Sequence, residues 1–375
     1  MTAYLDYAAT TPLDPEVLAA INPYFGTHFA NPASWHRSGQ QARRAVEAAR
    51  EQVAALLGAK PREVTFTSGA TEAINHALRA VAELYPGGQI VTSQLEHAAV
   101  LTTCRWLERR GLRVTYLAPN HRGEITPAAV AAALSPDTVL VALMLVNNET
   151  GVVTAIPAIS RLAHEAGALL LCDAVQAAAY LPVEVAPLGA DLLALSGHKL
   201  YGPKGVGVLY VREGLELPPL LLGGAQERGM RAGTLNVPAI VGMGAACRLA
   251  IARREADAAQ VAVLRDELEA ALLALDGVTV NGAGAPRSPQ HLMVSVAGAD
   301  GEALLIALDQ LGVSVSAGSA CAAGALTPSH VLLAMGLTPA AAKASLRFSL
   351  GRMTRRDEID HAARSLRQAI ARCRI

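Results

Sequence analysis

The stretch Thr138–Gln176, TVLVALMLVNNETGVVTAIPAISRLAHEAGALLLCDAVQ, contains two apolar runs separated by a helical pattern. Both runs, TVLVALMLV and ALLLCDA, are continuously apolar, as in strands that are covered on both faces. Between them, PAISRLAHEAG has helical spacing and ends at Gly167, which is a normal helix stop. Strand, helix and strand in this order predict a mostly parallel sheet with helices on both faces.

The same alternation extends outward from this stretch. Further strand-like runs are QIVTSQ, LRVTYLA and DLLALS, and AVLTTCRWLERRG is a helical segment. After Cys247 the pattern changes to a long amphipathic helix or helix pair, followed by shorter strands and helices. We therefore expect an α/β fold with a large domain over residues 14–252 and a smaller α+β domain over 253–375. Residues 1–13 are expected to pack on the smaller domain.

Composition excludes several classes of protein. The 375 residues are 52% hydrophobic and 17% charged with a net charge of zero, so neither a nucleic-acid groove nor an anionic membrane surface is expected. Met1–Thr11 has no signal-peptide pattern, and no run reaches the roughly 18 apolar residues of a membrane span. The five cysteines are scattered without a C-x-x-C pair, which indicates neither a disulfide framework nor a zinc site. The cytoplasm is the expected compartment.

Polar residues follow several of the strand-like runs, where ligands collect in open α/β sheets. FTSGATEAIN, residues 66–75, reads as a strand, a turn and a helix start, which suits either a phosphate or an ordinary helix cap. VNNETG, residues 146–151, is equally consistent with a turn and with a functional site. Neither G-x-G-x-x-G after an early strand nor a Walker A motif occurs, so the two commonest nucleotide cradles are missing.

Three single residues at strand ends also have ordinary structural explanations. Asp173 ends an apolar run with Gln176 one turn later, and a carboxylate there needs a cation or strong donor unless it caps a helix. His97 follows a strand, and Lys199 lies among small residues in SGHKLYGPKG. A lysine shielded from water becomes a nucleophile or base, whereas a surface-loop lysine does not. Together, a phosphate site, a strand-end Asp and a strand-end Lys are the parts that a pyridoxal phosphate site needs.

The ordered motifs of the chain resemble those of group I cysteine desulfurases of the NifS/IscS type. The resemblance runs from YLDYAATTPLDPEV at Tyr4 to SLRFSLGRMTRRDEID ending at Asp360, with NPASWHRSG, FTSGATEAIN, EHAAV, VNNETG, CDAVQ, SGHKLYGPKG, GGAQERGMRAGTLN and SAGSACAAG between them. Each motif alone is weak, but their order over nearly the whole chain is specific. The family belongs to the fold-type I pyridoxal phosphate enzymes of the class V aminotransferase group, which implies a seven-stranded, mostly parallel sheet.

The resemblance also implies roles for the cofactor-binding residues. Lys199 would form the Schiff base with the cofactor, and His97 would stack on its ring and assist proton transfer. Asp173 would pair with the pyridine nitrogen, and Gln176 would contact the ring hydroxyl. The phosphate would be held by residues of two strand-end turns, namely Ala70, Thr71, Ser196 and His198.

The remaining implied roles concern the substrate and a second subunit. Asn148, also part of the cofactor site, and Arg347 would bind the substrate carboxylate, for which the fork of an arginine is well suited. Thr234 would reach the phosphate in the neighbouring subunit, which implies a homodimer with shared sites. No metal is implied.

Cys321 separates this family from other enzymes of the same fold. It lies in VSVSAGSACAAGALTPSH, whose small residues predict a mobile loop, whereas Cys104, Cys172 and Cys247 lie in apolar patterns typical of buried cysteines. The implied reaction converts L-cysteine to L-alanine and leaves a persulfide on Cys321, from which sulfur passes to an acceptor protein. The acceptor would be an iron–sulfur scaffold or another sulfur carrier serving iron–sulfur cluster, thio-cofactor or tRNA thiolation synthesis.

Two alternatives stay open from the sequence. One keeps the fold and changes the reaction to that of an aminotransferase, another β-lyase or a selenocysteine lyase, in which Cys321 has no role or the substrate differs. The other is a cofactor-free interaction protein on a retained fold, and the joint presence of Lys199, Asp173 and His97 disfavours it.

Overall fold

The structure is a computed structural model that describes residues 2–317 and 327–373. The strands are β1 Ala3–Tyr4, β2 Val64–Thr67, β3 Gln89–Ser93, β4 Arg113–Leu117, β5 Thr138–Met144, β6 Leu169–Asp173, β7 Leu192–Ser196, β8 Gly207–Val211, β9 Val278–Asn281, β10 His291–Val296, β11 Val313–Ser314, β12 Ser316–Ala317 and β13 Ser345–Ser349. The helices are α1 Pro15–Ile21, α2 Pro23–Gly26, α3 Arg37–Leu57, α4 Ala70–Leu84, α5 Ala98–Glu108, α6 Pro127–Ala133, α7 Ile156–Glu165, α8 Val185–Leu188, α9 Val237–Leu273, α10 Gly301–Gln310, α11 His330–Ala334, α12 Pro339–Lys343 and α13 Arg356–Cys373.

A seven-stranded sheet forms the centre of the molecule, in the order β2-β8-β7-β6-β5-β3-β4. Strands β7, β6, β5, β3 and β4 pair in parallel, whereas β8 is antiparallel to both of its neighbours, β2 and β7. The expected α/β fold with a mostly parallel seven-stranded sheet is confirmed. The strand β8 was not among the predicted strands.

Helices cover both faces of this sheet, as the continuous apolar runs predict. Along β5, Leu140 and Ala142 belong to a core cluster with residues of α4 and α5. Val141 and Leu143, which point to the other face, belong to a second cluster with residues of α3, α7 and α9. Because successive side chains of a strand point to opposite faces, a strand buried on both sides has no polar alternation.

A second sheet, β12-β13-β10-β9, is antiparallel throughout. Helix α9 links it to the seven-stranded sheet and is one helix of 37 residues rather than a pair. This helix runs through the predicted domain boundary at residue 252, so the boundary remains a prediction. The N-terminal strand β1 pairs in parallel with β11, which follows α10 in the chain.

Within residues 2–317 and 327–373, none of the helices combines the length and apolar character that a membrane span requires. The same residues contain no cluster of His, Cys, Asp and Glu side chains that could hold a metal ion.

Candidate active site

The carboxyl ends of the central strands open into a cavity of about 760 Å³. This volume lies in the range of small-molecule and cofactor sites, about 300–1,000 Å³. Ten of the residues predicted from the sequence line it: Ala70, Thr71, His97, Asn148, Asp173, Gln176, Ser196, His198, Lys199 and Arg347. Thr234 is exposed and does not line this cavity. Cys321 lies outside the described residues.

Lys199 lies in a short 3₁₀ turn, Gly197–Lys199, that directly follows β7. Its Nζ donates to the main-chain carbonyl of Ala9 at 2.7 Å and to that of Ala8. The amine therefore lies at the cavity and is held by the N-terminal segment. These contacts with the N-terminal segment explain why a lysine occurs among small residues at a strand end.

Asp173 is the last residue of β6 and is 7% exposed. Its Oδ1 accepts a hydrogen bond from the Val175 amide at 3.0 Å. Burial raises the pKa of Asp173, while the Val175 amide and the nearby His97 and Lys199 act in the opposite direction. A protonated ring nitrogen placed beside this carboxylate would supply the cationic partner that it needs.

His97 caps the N-terminus of α5, because its Nδ1 accepts from the Ala99 amide at 3.1 Å. With Nδ1 acting as an acceptor, the neutral imidazole carries its proton on Nε2. His97 therefore both caps a helix and lines the cavity. Gln176, on the other side of the cavity, donates from Nε2 to the Ala8 carbonyl at 3.0 Å.

The start of α4 forms one end of the cavity. Its N-cap is Gly69, which has no side chain to satisfy the first-turn amides, and Ala70 and Thr71 face the cavity. Free amides at a helix start suit a phosphate. Although burial alone would raise the pKa of Glu72, its hydrogen bonds with Arg231 and Ser68 outweigh burial and lower it. The salt bridge to Arg231, at 2.9 Å, balances this charge beside the anion site.

Strand β8 approaches the same turn closely. A Cβ placed on Gly207 would lie 2.5 Å from the carbonyl carbon of Gly69, closer than real Cβ contacts. Only a glycine at this position lets the two backbones meet. In the turn after β7, burial and the charges of Lys199 and Lys204 lower the pKa of His198 to about 4, so its ring is neutral at neutral pH.

Arg347, on β13, lies at the other end of the cavity with its side chain 3% exposed. Its Nη1 donates to the Asn148 carbonyl at 2.8 Å, and its Nη2 forms a 2.8 Å salt bridge with Asp6. The guanidinium thus already binds a carboxylate of the chain itself. This arrangement suits recognition of a substrate carboxylate at the same end.

The VNNETG motif is both a turn and a part of the cavity wall. Asn147 builds the turn, since its Oδ1 accepts from the amides of Glu149 and Thr150 at 3.0 and 2.9 Å. Its Nδ2 donates to the Leu95 carbonyl at 3.1 Å. The neighbouring Asn148 and Glu149 line the cavity.

Sequence reasoning assigned no role to several residues that the structure brings to the cavity. These are Ala8 and Ala9, whose carbonyls accept from Lys199, the turn residue Asn147, the cavity residues Glu149 and His330, and Gly207. The YLDYAATT motif was noted only for its resemblance. Its contacts with Lys199 span about 190 positions of sequence and leave no local signal.

The cavity fits pyridoxal phosphate on three separate criteria. A strand-end lysine provides an amine, a buried carboxylate faces the cavity, and a glycine-capped helix start provides an anion site. An amine, a pyridine-nitrogen partner and a phosphate cradle are the protein groups that this cofactor requires. The fold and the cavity therefore define a pyridoxal phosphate-dependent enzyme of fold type I.

Comparisons with known proteins agree with this class. The aminotransferase class-V family model matches residues 3–361. The cysteine desulfurase IscS of Anaeromyxobacter dehalogenans (strain 2CP-C) is 49% identical over 99% of this chain and 93% of its own length. The solved structure of a NifS-like protein has a TM-score of 0.93 and 34% identity, covering 99% of this chain and all of its own. A solved structure of SspA in complex with cysteine has a TM-score of 0.84 and 38% identity, covering 94% of this chain and 100% of its own.

The chain belongs to the aminotransferase class-V family, within its group of NifS- and IscS-like cysteine desulfurases.

Proposed function

We propose that this protein is a pyridoxal phosphate-dependent cysteine desulfurase, which converts L-cysteine to L-alanine and delivers the sulfur to an acceptor protein. The observation that carries the proposal is the match over 99% of the chain, at 47–49% identity, to cysteine desulfurases. The cavity supports it, because the amine, the buried carboxylate and the anion site lie around one space of suitable volume.

When bound, pyridoxal phosphate supplies an aldehyde that joins to amines and a ring that withdraws electrons from the substrate Cα. Lys199 would provide the amine that holds the cofactor, and its free amine would accept the Cα proton of the substrate. The carbonyls of Ala8 and Ala9 support this role, because they hold the Lys199 amine inside the cavity. Asp173 would keep a proton on the pyridine nitrogen, a role that its burial at the cavity wall supports.

The phosphate is held by the α4 amides together with Ala70, Thr71, Ser196 and His198. His97 would pack on the cofactor ring and exchange protons through Nε2, the ring nitrogen that does not take part in the capping bond to Ala99.

Arg347 and Asn148 bind the carboxylate of L-cysteine. The existing salt bridge between Arg347 and Asp6 supports this assignment, since it shows a carboxylate held by the same guanidinium. Gln176, whose Nε2 donates to the Ala8 carbonyl, would contact the ring hydroxyl.

The sulfur transfer is assigned to Cys321, which lies outside the described residues. Its thiolate attacks the substrate sulfur, so that an S–S bond forms while the Cβ–S bond breaks. The electron pair of the broken bond stays on the substrate carbon, which takes a proton to become L-alanine. Cys321 is left as a persulfide, and its outer sulfur passes to an iron–sulfur scaffold or another sulfur carrier for cluster, thio-cofactor or tRNA thiolation synthesis.

A homodimer with shared sites is part of the proposal. Thr234 is exposed and outside its own subunit's cavity, as expected of a residue that reaches the partner's phosphate. Large apolar side chains are also exposed, including Phe29 at 79%, Trp35 at 88% and Leu222 at 86%. Exposed aromatic and aliphatic residues of this size favour burial against a partner.

The cytoplasm is the proposed compartment. Support comes from cysteine usage, since Cys104, Cys172, Cys247 and Cys373 are all free thiols, the first three of them buried. Free thiols are typical of a reducing compartment.

The test of this function is alanine formation from L-cysteine by the cofactor-loaded protein. We expect wild type to form alanine, and Lys199→Ala to lose at least about a thousandfold of the rate, because the variant lacks both the anchoring amine and the base. An inactive wild type that carries the cofactor would reject the proposal. A fully active Lys199→Ala would reject the assignment of Lys199.

A further inference from the structure

Glu149 is a buried residue in the cavity wall. The reaction described above assigns no role to its carboxyl group. Glu149 is 2% exposed and follows Asn148 in the turn that Asn147 builds. Burial raises the pKa of Glu149 to about 7, while Ser329 and Arg347 favour its charged form. A carboxyl group in such a place is costly unless its contacts compensate.

The direct partner of Glu149 is the hydroxyl group of Ser329, which donates to its Oε2. Ser329 is 1% exposed and lies 180 positions away in the chain. The same hydroxyl oxygen accepts from the Leu332 amide at 3.2 Å and so caps α11. One oxygen atom therefore connects the turn after β5 to the start of α11.

Helix α11 has a direct relation to the cavity. Its first residue, His330, lines the cavity, and the ring Nε2 donates to the Glu96 carbonyl at 3.1 Å. Two polar contacts thus hold the start of α11, one through Ser329 and one through His330. Val331 and Leu332 are fully buried beneath them.

Glu149 also adjoins the end of the cavity assigned to the substrate carboxylate. The Asn148 carbonyl, one residue before it, accepts from Nη1 of Arg347. A displacement of Glu149 would therefore move both the α11 wall and the backbone that orients Arg347.

We propose that Glu149 is a positioning residue of the desulfurase reaction, which accepts the Ser329 hydroxyl and thereby fixes α11 and the Asn148 turn around the substrate. This inference rests on the proposed function. It requires a hydrogen-bond acceptor at position 149 rather than a negative charge, so an amide of the same shape should serve.

The test compares Glu149→Gln, Glu149→Ala, Ser329→Ala and the double variant in the cofactor-loaded enzyme, with alanine formation from L-cysteine as the assay. We expect Glu149→Gln to keep kcat within about threefold of wild type. Glu149→Ala and Ser329→Ala should each lower kcat about tenfold or more, because each leaves a buried partner unsatisfied. The double variant should lose no more than the worse single variant, as expected for residues that act through one contact.

A matched control separates positioning from general stability. Ser160 is equally buried and donates to the Gly189 carbonyl at 2.7 Å, in α7 and outside the cavity lining. We expect Ser160→Ala to lower the melting temperature without changing kcat. A second readout, hydrogen exchange of the α11 amides, should speed up in Glu149→Ala and not in Glu149→Gln.

Three results would overturn the inference. In the first, the double variant loses the product of the two single-variant losses in kcat. In the second, Glu149→Ala has a lower melting temperature but unchanged kcat and unchanged hydrogen exchange. In the third, Glu149→Gln lowers kcat as much as Glu149→Ala does. Where Glu149→Ala does not fold, Ser329→Ala and Glu149→Gln still decide between the outcomes. The wild-type rate measured alongside keeps this test separate from that of the desulfurase function itself.

Discussion

Replacing Glu96 by glutamine should change how stability depends on pH. Glu96 is 1% exposed, and one of its carboxyl oxygens accepts from the Ser93 hydroxyl at 2.6 Å. Burial raises the pKa of Glu96 to about 8, with the negative charge of Asp173 acting in the same direction. The folded protein therefore holds a proton on Glu96 at pH values where the unfolded chain has released it.

The sign follows from proton linkage. Between the unfolded pKa, 4.5, and the folded value of about 8, the native state binds more protons, so wild-type stability falls as pH rises. At about 1.36 kcal/mol per pH unit, the difference between these two pKa values corresponds to about 5 kcal/mol in total, of which about 4 kcal/mol falls between about pH 5 and about pH 9. Glutamine does not titrate, so Glu96→Gln should gain this amount relative to wild type over that interval.

The assay is urea unfolding of the cofactor-free proteins, followed by circular dichroism at a series of pH values. Glu83→Gln, on the exposed side of α4, serves as the control and should run parallel to wild type. A difference in unfolding free energy between Glu96→Gln and wild type that stayed constant from about pH 5 to about pH 9 would contradict a raised pKa of Glu96.

Two further predictions concern the two ends of the cavity. Arg347→Lys keeps the positive charge but loses the guanidinium fork, which binds the Asn148 carbonyl and Asp6 at the same time. Initial-rate kinetics should therefore show the KM for L-cysteine raised about tenfold or more. An unchanged KM would contradict the role of Arg347 in substrate binding. Gly207→Ala places a methyl group against Gly69 and should weaken cofactor binding about tenfold, measured by absorbance titration of the cofactor-free protein. Gly26→Ala, which has open space around it, is the control, and equal affinities in all three proteins would speak against the close approach.

Much of the fold could be predicted because its strands are buried on both faces. Continuous apolar runs such as TVLVALMLV and ALLLCDA mark them directly, and they became β5 and β6. Strand β8 was missed although it is apolar, because it begins at Gly207, a residue type that disfavours strands. Its position depends on antiparallel pairing with β2 and β7, which no local pattern reveals.

The candidate site was predictable where side chains follow strand ends, because parallel strands bring those ends together. Asp173, His97 and Lys199 were found in this way. The contacts of Lys199 with Ala8 and Ala9 could not be found, since they use main-chain carbonyls and depend on how the N-terminal segment crosses the cavity. The contact between Glu149 and Ser329 likewise depends on where the fold places the start of α11, so the sequence does not reveal it.

The most direct test of the account is the fate of sulfur in wild type and Cys321→Ala. Both proteins are loaded with the cofactor, and loading is verified by visible absorbance. Each protein is then incubated with L-cysteine and a reductant, and the alanine and sulfide that form are measured. We expect wild type to form both products and Cys321→Ala to keep the absorbance while losing sulfur release. A Cys321→Ala variant as active as wild type would contradict sulfur transfer through Cys321 and would favour a lyase or aminotransferase reaction in the same cavity.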